Sequence, residues 1–338
     1  MRIGGESFSR EEVEALVGDI RQVASAVPVS FEEGRARGMR AVLLRVAGGI
    51  CAEVLPDRGM DLGWASSGGV PLAWAAPQGH AAPAFAEHGG NGWARTFGGG
   101  LMATCGMMTI GAPSEDDGEQ LGMHGRVASI PAERVACRLE WDGDELDAVV
   151  EGRVVEAGPG GRVLERVRAV RARVGEQVLE VRDTVSNIGA VPAPHMYRFH
   201  FNLGFPLVRP GDTIGFDGAL LGHRPGAGPR GDWGTLASPV PDAAEEVLYL
   251  GPGGPEGRVC VLRPGPGGGK VLELEWDASA MPVLVVWKHQ RSRRNVLGLE
   301  PSTAGDEGRA RARETGELLT LDPGQSREYT ARIRCHRP

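Results

Sequence analysis

Short β-favouring segments follow one another along most of this chain, and no succession of long helical patterns separates them. From about residue 40 onward, glycine, proline, aspartate or asparagine interrupts most of the apolar runs, a pattern typical of strands joined by turns. Because strands do not alternate with helices, a doubly wound α/β fold is disfavoured and we expect a mainly β-sheet protein. The predicted strands are residues 41–46, 135–141, 146–155, 163–174, 177–185, 196–203, 258–262, 271–276, 283–287, 296–299 and 328–333.

The N-terminal segment has a helical pattern instead. Ser9 and Glu12 have the spacing of a capping box, which marks the start of a helix. We therefore predict a helical appendage in residues 1–35, packed on a single domain in residues 36–338. The apolar residues at helical spacing after the capping box are Val13, Leu16, Val17, Ile20 and Val23.

Composition and charge exclude several classes of protein. Hydrophobic residues make up 41% of the 338 residues, enough for a large core, so the chain is not disordered. The formal net charge is -7, and basic residues are interspersed with acidic ones, which argues against a nucleic-acid partner. Apolar runs such as residues 281–287 are too short to cross a bilayer, and the acidic N-terminus does not resemble a signal peptide. We expect a cytoplasmic protein without a membrane partner.

The five cysteines are scattered and form no Cys-x-x-Cys pair. An odd number without such spacing argues against a disulfide framework and against a zinc ribbon. Cys105, within Ala-Thr-Cys-Gly-Met, has two interpretations, a nucleophile or a small buried apolar residue, and the buried residue is favoured.

Polar residues interrupt the apolar pattern regularly in the predicted strand 196–203. The odd positions from 197 to 203 are aromatic or apolar, and the even positions carry Arg198, His200 and Asn202. Because side chains alternate across a strand, one face must pack into a core while the other presents a row of hydrogen-bonding groups. A structural role for a single histidine is the alternative to a functional one.

Glu300 stands at the end of the predicted strand 296–299, on the same face as Gly298. A carboxylate in this position is costly unless it is paired or functional. Gly298 leaves room beside the backbone, and Pro301 ends the strand. A solvent-facing glutamate at a strand end is the alternative interpretation.

Three loop regions offer further candidates. Gly122 and Gly125 bracket His124, which indicates a turn that presents the imidazole to a cleft. The irregular segment 83–100, which contains Arg95 beside an aromatic residue and a glycine run, is long enough to border a functional site. Arg58 lies in a turn where a surface salt bridge is the alternative.

An ordered set of motifs resembles the aldose 1-epimerase (galactose mutarotase-like) superfamily, above all its uncharacterised bacterial branch. The set extends from about residue 40 to the C-terminus, and each motif stands in the expected order. The motifs are DRGMD at 57–61, GGLMATCG at 99–106, MHG at 123–125, HFNLGFP at 200–206, LEP at 299–301 and LDPGQSREY at 321–329.

This resemblance implies a large antiparallel β-sandwich, a galactose mutarotase-like supersandwich, with a sugar bound in a cleft across one sheet. It implies an isomerase in which Glu300, through its Leu-Glu-Pro context, removes the proton of the anomeric hydroxyl. A histidine then protonates the ring oxygen, the ring opens, the aldehyde rotates, and closure gives the other anomer. The family places this histidine four residues before the asparagine, where this chain has Arg198. His200 stands on the same strand face and takes the acid role here.

The resemblance also assigns sugar-binding roles. His124 matches a second sugar-binding histidine and Arg95 a substrate-contacting arginine. The hydroxyl-gripping aspartate of mutarotases has no clear counterpart, with Asp212 and Asp217 as candidates. The other predicted substrate-binding residues are Arg58, Arg198, Asn202 and Lys288. The alternative to a substrate-binding role for Lys288 is a surface lysine whose charged end reaches solvent.

Opening a hemiacetal requires one base and one acid on opposite sides of the C1–O5 unit and no metal or redox cofactor. Two alternatives to an epimerase stay open at this point. One is a non-catalytic sugar-binding protein that keeps the cleft. The other is a metal-dependent isomerase, because the set His124, His195, His200 and Glu300 contains suitable ligand types. For the oligomeric state, pairing through an exposed sandwich sheet makes a homodimer one option.

Overall fold

The computed structural model describes residues 1–266 and 268–336. The helices are α1 Arg10–Leu16, α2 Trp93–Thr96 and α3 Arg309–Thr315. Short 3₁₀ turns lie at Ile20–Gln22, Gly34–Ala36, Pro56–Arg58, Pro83–Phe85, Val127–Ser129 and Pro159–Gly161. Among the described residues, none of the helices combines the length and the apolar character needed to cross a membrane.

Strands account for most of the regular structure. The first strands are β1 Arg2–Ile3, β2 Glu6–Ser7, β3 Ala24–Ser30, β4 Arg40–Val46, β5 Ile50–Leu55, β6 Asp61–Ser67, β7 Val70–Pro71, β8 Trp74–Ala75, β9 Gly99–Gly100, β10 Met102–Met107, β11 Ser114–Asp116 and β12 Glu119–Leu121. They are followed by β13 Glu133–Asp142, β14 Glu145–Ala157, β15 Val163–Arg173, β16 Val178–Asn187, β17 Ala193–Leu203, β18 Thr213–Phe216, β19 Gly218–His223, β20 Glu246–Pro252, β21 Glu256–Arg263, β22 Gly269–Asp277, β23 Val283–Arg291, β24 Arg294–Ser302, β25 Leu319–Leu321 and β26 Ser326–Cys335.

Two large antiparallel sheets dominate the molecule. The 12-stranded sheet has the order β19-β20-β23-β24-β17-β10-β6-β5-β4-β3, and β25 and β7 pair with β17 and β6 outside that path. The 8-stranded sheet has the order β13-β14-β15-β16-β26-β22-β21-β18. Apolar side chains from both sheets form one buried cluster between them, which is the arrangement of a β-sandwich. The predicted all-β class with a short N-terminal helix is confirmed.

Strand β17 runs through the middle of the larger sheet and is buried along its whole length. The Tyr197 ring stacks on Tyr329 of the other sheet with centroids 4.8 Å apart, so this face of β17 points into the sandwich. Behind it, Arg168 forms a buried two-point ion pair with Asp183, which also accepts a hydrogen bond from the Tyr197 hydroxyl. Such a fully paired buried network fixes the position of the strand. The opposite face carries Arg198 and His200.

The N-terminal segment differs from the sequence expectation in two ways. Helix α1 has the predicted capping box at Ser9 but ends at Leu16, since Gly18 is a poor helix former and Asp19 caps a separate 3₁₀ turn. The predicted helical periodicity up to Val23 is therefore too long. Residues 24–30, inside the segment predicted as a helical appendage, form β3 at the edge of the 12-stranded sheet.

Candidate active site

A cavity of about 460 Å³ lies on the face of β17, β23 and β24 that points away from the second sheet. Its floor is formed by strand residues, and its walls come from loops at residues 91–97, 111–113 and 123–124. This volume lies in the range typical of small-molecule sites. The irregular segment 83–100 was predicted to border a site, and Trp93 and Phe97 within it line this cavity.

His200 and Glu300 meet on the floor of the cavity. Strands β17 and β24 pair Arg198 with Ser302 and Phe201 with Leu299, and this register sets His200 opposite Glu300. His200 Nε2 lies 3.2 Å from Glu300 Oε1, and both side chains are almost completely buried. The base and the acid expected from the sequence are thus neighbours on one sheet face. The expectation that they stand on opposite sides of a bound C1–O5 unit is replaced by a side-by-side arrangement.

Arg198 holds the carboxyl groups of the site in place. Its Nη1 donates to Glu300 Oε2 at 3.0 Å and to Asp306 Oδ1 at 2.7 Å. Its remaining nitrogens donate to the Ser302 hydroxyl and the Gly305 carbonyl. Arg198 was predicted to bind substrate, but its donors are directed at protein groups, so it orients Glu300 and Asp306.

Gly298 makes the position of the Glu300 carboxyl possible. A Cβ atom added at Gly298 would lie 2.7 Å from Glu300 Oε1 and 3.0 Å from Cβ of Trp287. Both distances are shorter than normal contacts, so any side chain here would displace the carboxyl group or the indole. The room expected beside Gly298 is used by Glu300 itself.

His124 enters the cavity from a tight turn, as the bracketing glycines predicted. The residue has φ 56, and the next residue, Gly125, has φ 75. Two successive left-handed residues are costly for most side chains, which explains the glycine. His124 Nδ1 accepts a hydrogen bond from the Gly111 N–H at 3.2 Å, so the ring proton sits on Nε2. Its ring is perpendicular to that of His200, with centroids 5.9 Å apart.

Burial controls protonation in the cavity. It raises the pKa of Glu300 to about 8, although Arg198 acts in the opposite direction. It lowers the pKa of His124 to about 4 and that of His200 well below its usual value, with a further lowering from His124 and Arg198. Burial also raises the pKa of Asp306, but Arg198 and His124 outweigh it and leave this pKa below its usual value. At neutral pH the His200–Glu300 pair therefore holds one proton in total.

Aromatic rings form one wall of the cavity. The Trp93 and Phe97 rings stack with centroids 4.4 Å apart, and Phe97 lies 5.4 Å from the His200 ring. Trp287 lies 5.6 Å from the same imidazole and 6.3 Å from the Phe97 ring, and it donates from Nε1 to Glu245 Oε2 at 2.9 Å. These rings exclude water from the histidine and offer flat apolar surfaces to a ligand.

Four buried polar atoms of cavity-lining residues have no hydrogen-bond partner within the described ranges. They are Trp93 Nε1, His200 Nδ1, Arg294 Nε and Glu300 Oε1. Native proteins leave few such groups unpaired, because each one loses its hydration without compensation. Their concentration in one cavity indicates a site built for a polar ligand.

Sequence reasoning missed several lining residues. Asp306 follows β24 in a Gly-Asp-Glu-Gly stretch, six positions after Glu300, and this turn signature after the Leu-Glu-Pro motif was the available signal. Arg224 pairs with Asp306 at 3.3 Å and with Glu245. Arg224 and Glu245 come from loops beside β19 and β20, and no periodicity marks them.

Two predicted residues face the other side of their strands. Lys288 follows Trp287 in β23, so alternation turns it away from the cavity, where its Nζ forms a buried ion pair with Glu246 Oε2 at 2.8 Å. The predicted contact between Lys288 and a sugar is therefore wrong. His195 in β17 bonds the Met107 carbonyl and the Tyr329 hydroxyl inside the sandwich. The predicted metal-ligand set that includes His195 is thus not assembled in one place.

Three other predicted substrate contacts lie outside the cavity lining. Arg95 is exposed on α2 and pairs with Glu87 at 3.4 Å. Arg58 is buried, and its Nη1 donates to the Ala81 carbonyl. The alternative prediction of a surface salt bridge at Arg58 is therefore wrong. Asn202 is buried on the His200 face of β17, and its amide donates to the His200 carbonyl.

The two candidate aspartates, Asp212 and Asp217, lie outside the cavity, and Cys105 is part of the protein core. The Asp212 carboxylate accepts a hydrogen bond from the Arg263 guanidinium, 3.1 Å away. Neither Asp212 nor Asp217 lines the cavity. Cys105 is fully buried, and burial raises the pKa of its thiol well above the usual value. A thiol in this state is a poor nucleophile, which agrees with the buried-residue interpretation.

A second depression, of about 430 Å³, lies on the outer face of the 8-stranded sheet. Its charged side chains are largely paired with one another, as in the bonds from Arg173 to Asp147 and from Arg332 to Glu180. In both pairs a partly exposed arginine covers a more buried carboxylate, so the charges of this face are already compensated within the protein. Among the described residues, four unpaired buried polar atoms belong to the lining of the first cavity and none to the lining of this depression, so we place the candidate site in the first cavity.

Residues 36–335 match the model of the DUF4432 family, which is described as a domain of unknown function. The chain belongs to this family. The matched range of the DUF4432 protein includes the cavity and every strand from β4 to β26. The sequence matches none of the curated proteins compared with it.

Solved structures share the fold of the DUF4432 protein. A proposed aldose 1-epimerase from Klebsiella pneumoniae subsp. pneumoniae is 21% identical with a TM-score of 0.84, and the alignment covers 97% of this chain and 86% of that one. A galactose mutarotase-like protein from Clostridium acetobutylicum is 12% identical with a TM-score of 0.59, over 93% and 99% of the chains. A galactose 1-epimerase from Lactobacillus acidophilus is 12% identical with a TM-score of 0.53, over 93% and 99%. The fold is therefore the galactose mutarotase-like sandwich.

Proposed function

We propose that this DUF4432 protein is a carbohydrate epimerase of the mutarotase type, which interconverts the anomers of an aldose or a sugar derivative. The observation that supports this most directly is the His200–Glu300 pair, 3.2 Å apart on the floor of the cavity. Each partner also has a buried atom without a hydrogen-bond partner among the described residues. A pair of this kind can take one proton and give another to two neighbouring oxygen atoms of one ligand.

The reaction is balanced by the single proton of the pair. When sugar hydroxyls replace water and donate to Glu300, its ionised form is favoured and the proton passes to His200. Glu300 then accepts the proton of the anomeric hydroxyl while His200 protonates the ring oxygen. The C1–O5 bond breaks, C1 becomes an aldehyde carbon, and the pair again holds one proton. Rotation of the aldehyde and the reverse proton transfers give the other anomer.

The surrounding residues hold the sugar for this exchange. His124 presents an Nε2–H donor to the cavity because its Nδ1 is already occupied by Gly111. Asp306 keeps free lone pairs beside its bonds to Arg198 and Arg224, so it is a candidate acceptor for sugar hydroxyls. Asp306 thus takes the role for which the sequence offered no clear aspartate.

Exchange measurements on a panel of reducing sugars test this function. Two-dimensional exchange NMR of the anomeric protons, in dilute buffer, is expected to show at least one sugar whose exchange rate rises in proportion to protein concentration. Saturation-transfer NMR on the same samples reports binding independently. Sugars that bind while their anomeric exchange stays at the buffer rate would contradict the epimerase and identify a sugar-binding protein instead.

A further inference from the structure

We propose that the substrate of this site is an acidic sugar, whose carboxylate is bound by Arg294 at the end of the cavity remote from Glu300. This inference rests on the proposed function, because it assigns the substrate class of the same cavity. Arg294 lines the cavity together with Glu300. It was not among the candidate residues of the sequence analysis.

Arg294 is the cavity arginine whose guanidinium has no protein partner among the residues that the structure describes. Its Nε is buried and unbonded, and within residues 1–266 and 268–336 its guanidinium takes part in no hydrogen bond or ion pair. Arginine stays charged at all physiological pH values and carries five N–H donors. Burying part of such a group without an acceptor is costly, so an arriving anion is favoured.

The other two arginines of the cavity are committed to protein carboxylates. Arg198 is bound to Glu300 and Asp306, and Arg224 is bound to Asp306 and Glu245. A ligand anion that approached either one would compete with a carboxylate already in place. Arg294 therefore carries the one uncompensated cationic charge among the three.

The position of Arg294 defines which end of the sugar it meets. Arg294, Val296, Gly298 and Glu300 alternate onto one face of β24, and the first and last are about 20 Å apart between Cα atoms at the usual rise per residue. Both side chains line one cavity, so the reacting pair bounds one end and the guanidinium the other. On a hexuronate with O1 at Glu300, C5 carries the carboxylate on the other side of the ring oxygen from C1, and the long Arg294 side chain supplies the free cation of the cavity that meets it.

The charge of the site favours a carboxylate over a phosphate. A single free guanidinium matches a monoanion, and its planar fork fits the two oxygens of a carboxylate. A phosphate monoester carries close to two negative charges at neutral pH and would leave one of them uncompensated. Neutral aldoses offer Arg294 hydroxyl oxygens as acceptors but leave its charge uncompensated.

The test compares matched sugars that differ only at C6. Glucose, glucuronate and glucose 6-phosphate, with the corresponding galactose and mannose sets, are assayed by anomeric exchange NMR with the native protein and with Arg294→Gln. We expect at least one uronate to exceed its neutral aldose by about 10-fold or more in kcat/KM, and this ratio to fall toward one in Arg294→Gln. Arg294→Lys, which keeps the charge, should retain part of the ratio.

Arg291→Gln is the matched control, because Arg291 pairs across the same hairpin with Arg294 and is half-exposed beside Asp242. It should keep the uronate preference. A native protein that prefers neutral aldoses, or a preference that Arg294→Gln leaves intact, would overturn the inference while the epimerase stands. A preference for the 6-phosphates would overturn the carboxylate assignment.

Binding measurements separate this inference from the proposed function. Calorimetry with the same sugars reports affinity whether or not exchange occurs. Uronates that bind in an Arg294-dependent way without any anomeric exchange would support the ligand class and contradict the epimerase. Equal rates of anomeric exchange for uronates and neutral aldoses would support the epimerase and contradict the acidic-sugar assignment.

Discussion

His200 Nε2 and Glu300 Oε1 stand 3.2 Å apart across the antiparallel strands β17 and β24. Arg198, two positions before His200 on the same strand face, binds the other oxygen of the same carboxyl. The pairing of two strands thus brings the proposed base, the proposed acid and the arginine that orients the carboxyl to one point. The backbone register of a rigid sheet sets this geometry, which is why a site on strands can be positioned accurately.

The pH dependence of exchange follows from the single proton of the His200–Glu300 pair. Burial raises the pKa of Glu300 to about 8 and lowers that of His200 well below its usual value. Above about pH 8 the pair loses its proton and the acid is missing; in acid it gains a second one and the base is missing. We expect kcat/KM, measured by exchange NMR from pH 4 to 10 after subtraction of buffer catalysis, to be bell-shaped with its alkaline limb near 8. A rate that continues to rise above pH 9 would refute the shared proton.

Gly298→Ala should lower kcat although the carboxyl itself is retained. The added Cβ falls 2.7 Å from Glu300 Oε1, so the carboxyl must turn away from His200. Misplacing a catalytic group by about 1 Å costs on the order of 100-fold. Gly222→Ala is the matched control, because a Cβ there meets no atom within 4 Å. Exchange assays and thermal unfolding of both variants would contradict this account if Gly298→Ala kept native kcat.

Arg198→Met should destabilise the fold in a pH-dependent way. The substitution leaves the carboxyls of Glu300 and Asp306 buried without their main cation, a loss of about 3–5 kcal/mol for a broken buried pair. In the folded protein the pKa of Glu300 is already above its usual value, and without Arg198 burial raises the pKa of Asp306 above its usual value as well. In the variant both carboxyls are therefore protonated near pH 4, where the deficit should be smallest, and the deficit should grow as pH rises.

Urea unfolding at pH 4, 6 and 8 measures this deficit. Arg95→Met, which removes an exposed pair with Glu87, is the control and should cost less than about 1 kcal/mol at every pH. An Arg198→Met deficit that stays constant across the three pH values would show that the two carboxyls do not carry it.

Lys288→Met should affect stability and leave sugar selectivity unchanged. Lys288 and Glu246 form a buried pair on the far face of β23, and the Lys288 Nζ also donates to the Trp233 carbonyl. Removing the lysine alone leaves the buried Glu246 with the half-exposed Arg230, 3.3 Å away, and should cost about 3–5 kcal/mol by urea unfolding. Lys288→Met combined with Glu246→Met should recover most of this loss. A changed ratio of kcat/KM between sugars in Lys288→Met would place it back in the site.

The sequence predicted those features that depend on strand alternation. The period of two in residues 196–203 correctly assigned His200 to one face and Phe199 to the other, since a strand has no other option. The same rule separates Trp287 from Lys288, because adjacent residues of a strand face opposite sides of the sheet, and it argues against the predicted contact between Lys288 and a sugar. His195 is a similar case, because its odd number in β17 directs it into the sandwich.

The rest of the site depends on loops whose paths no periodicity fixes. Asp306, Arg224 and Glu245 come from three segments distant in sequence that converge only when the sheet forms. Arg95 stands two residues from Trp93, yet one ring lines the cavity and the guanidinium faces solvent, a difference set by the short helix α2. The edge strand β3 could not be predicted from the sequence, because it contains Pro28, which disfavours a strand, and because it follows a helical pattern.

The most direct test of the central claim is the anomeric exchange rate of Glu300→Gln relative to the native protein, with the best sugar of the panel. Glutamine has nearly the same shape and can still accept from Arg198, but it cannot take a proton. Glu156→Gln is the matched control, because Glu156 is a second buried carboxyl, with its pKa raised by burial to about 7, that accepts from the Met107 N–H outside the cavity. We predict that kcat falls by about 100- to 10,000-fold in Glu300→Gln, with sugar binding and folding retained, and stays near native in Glu156→Gln. Native exchange in Glu300→Gln would contradict the account.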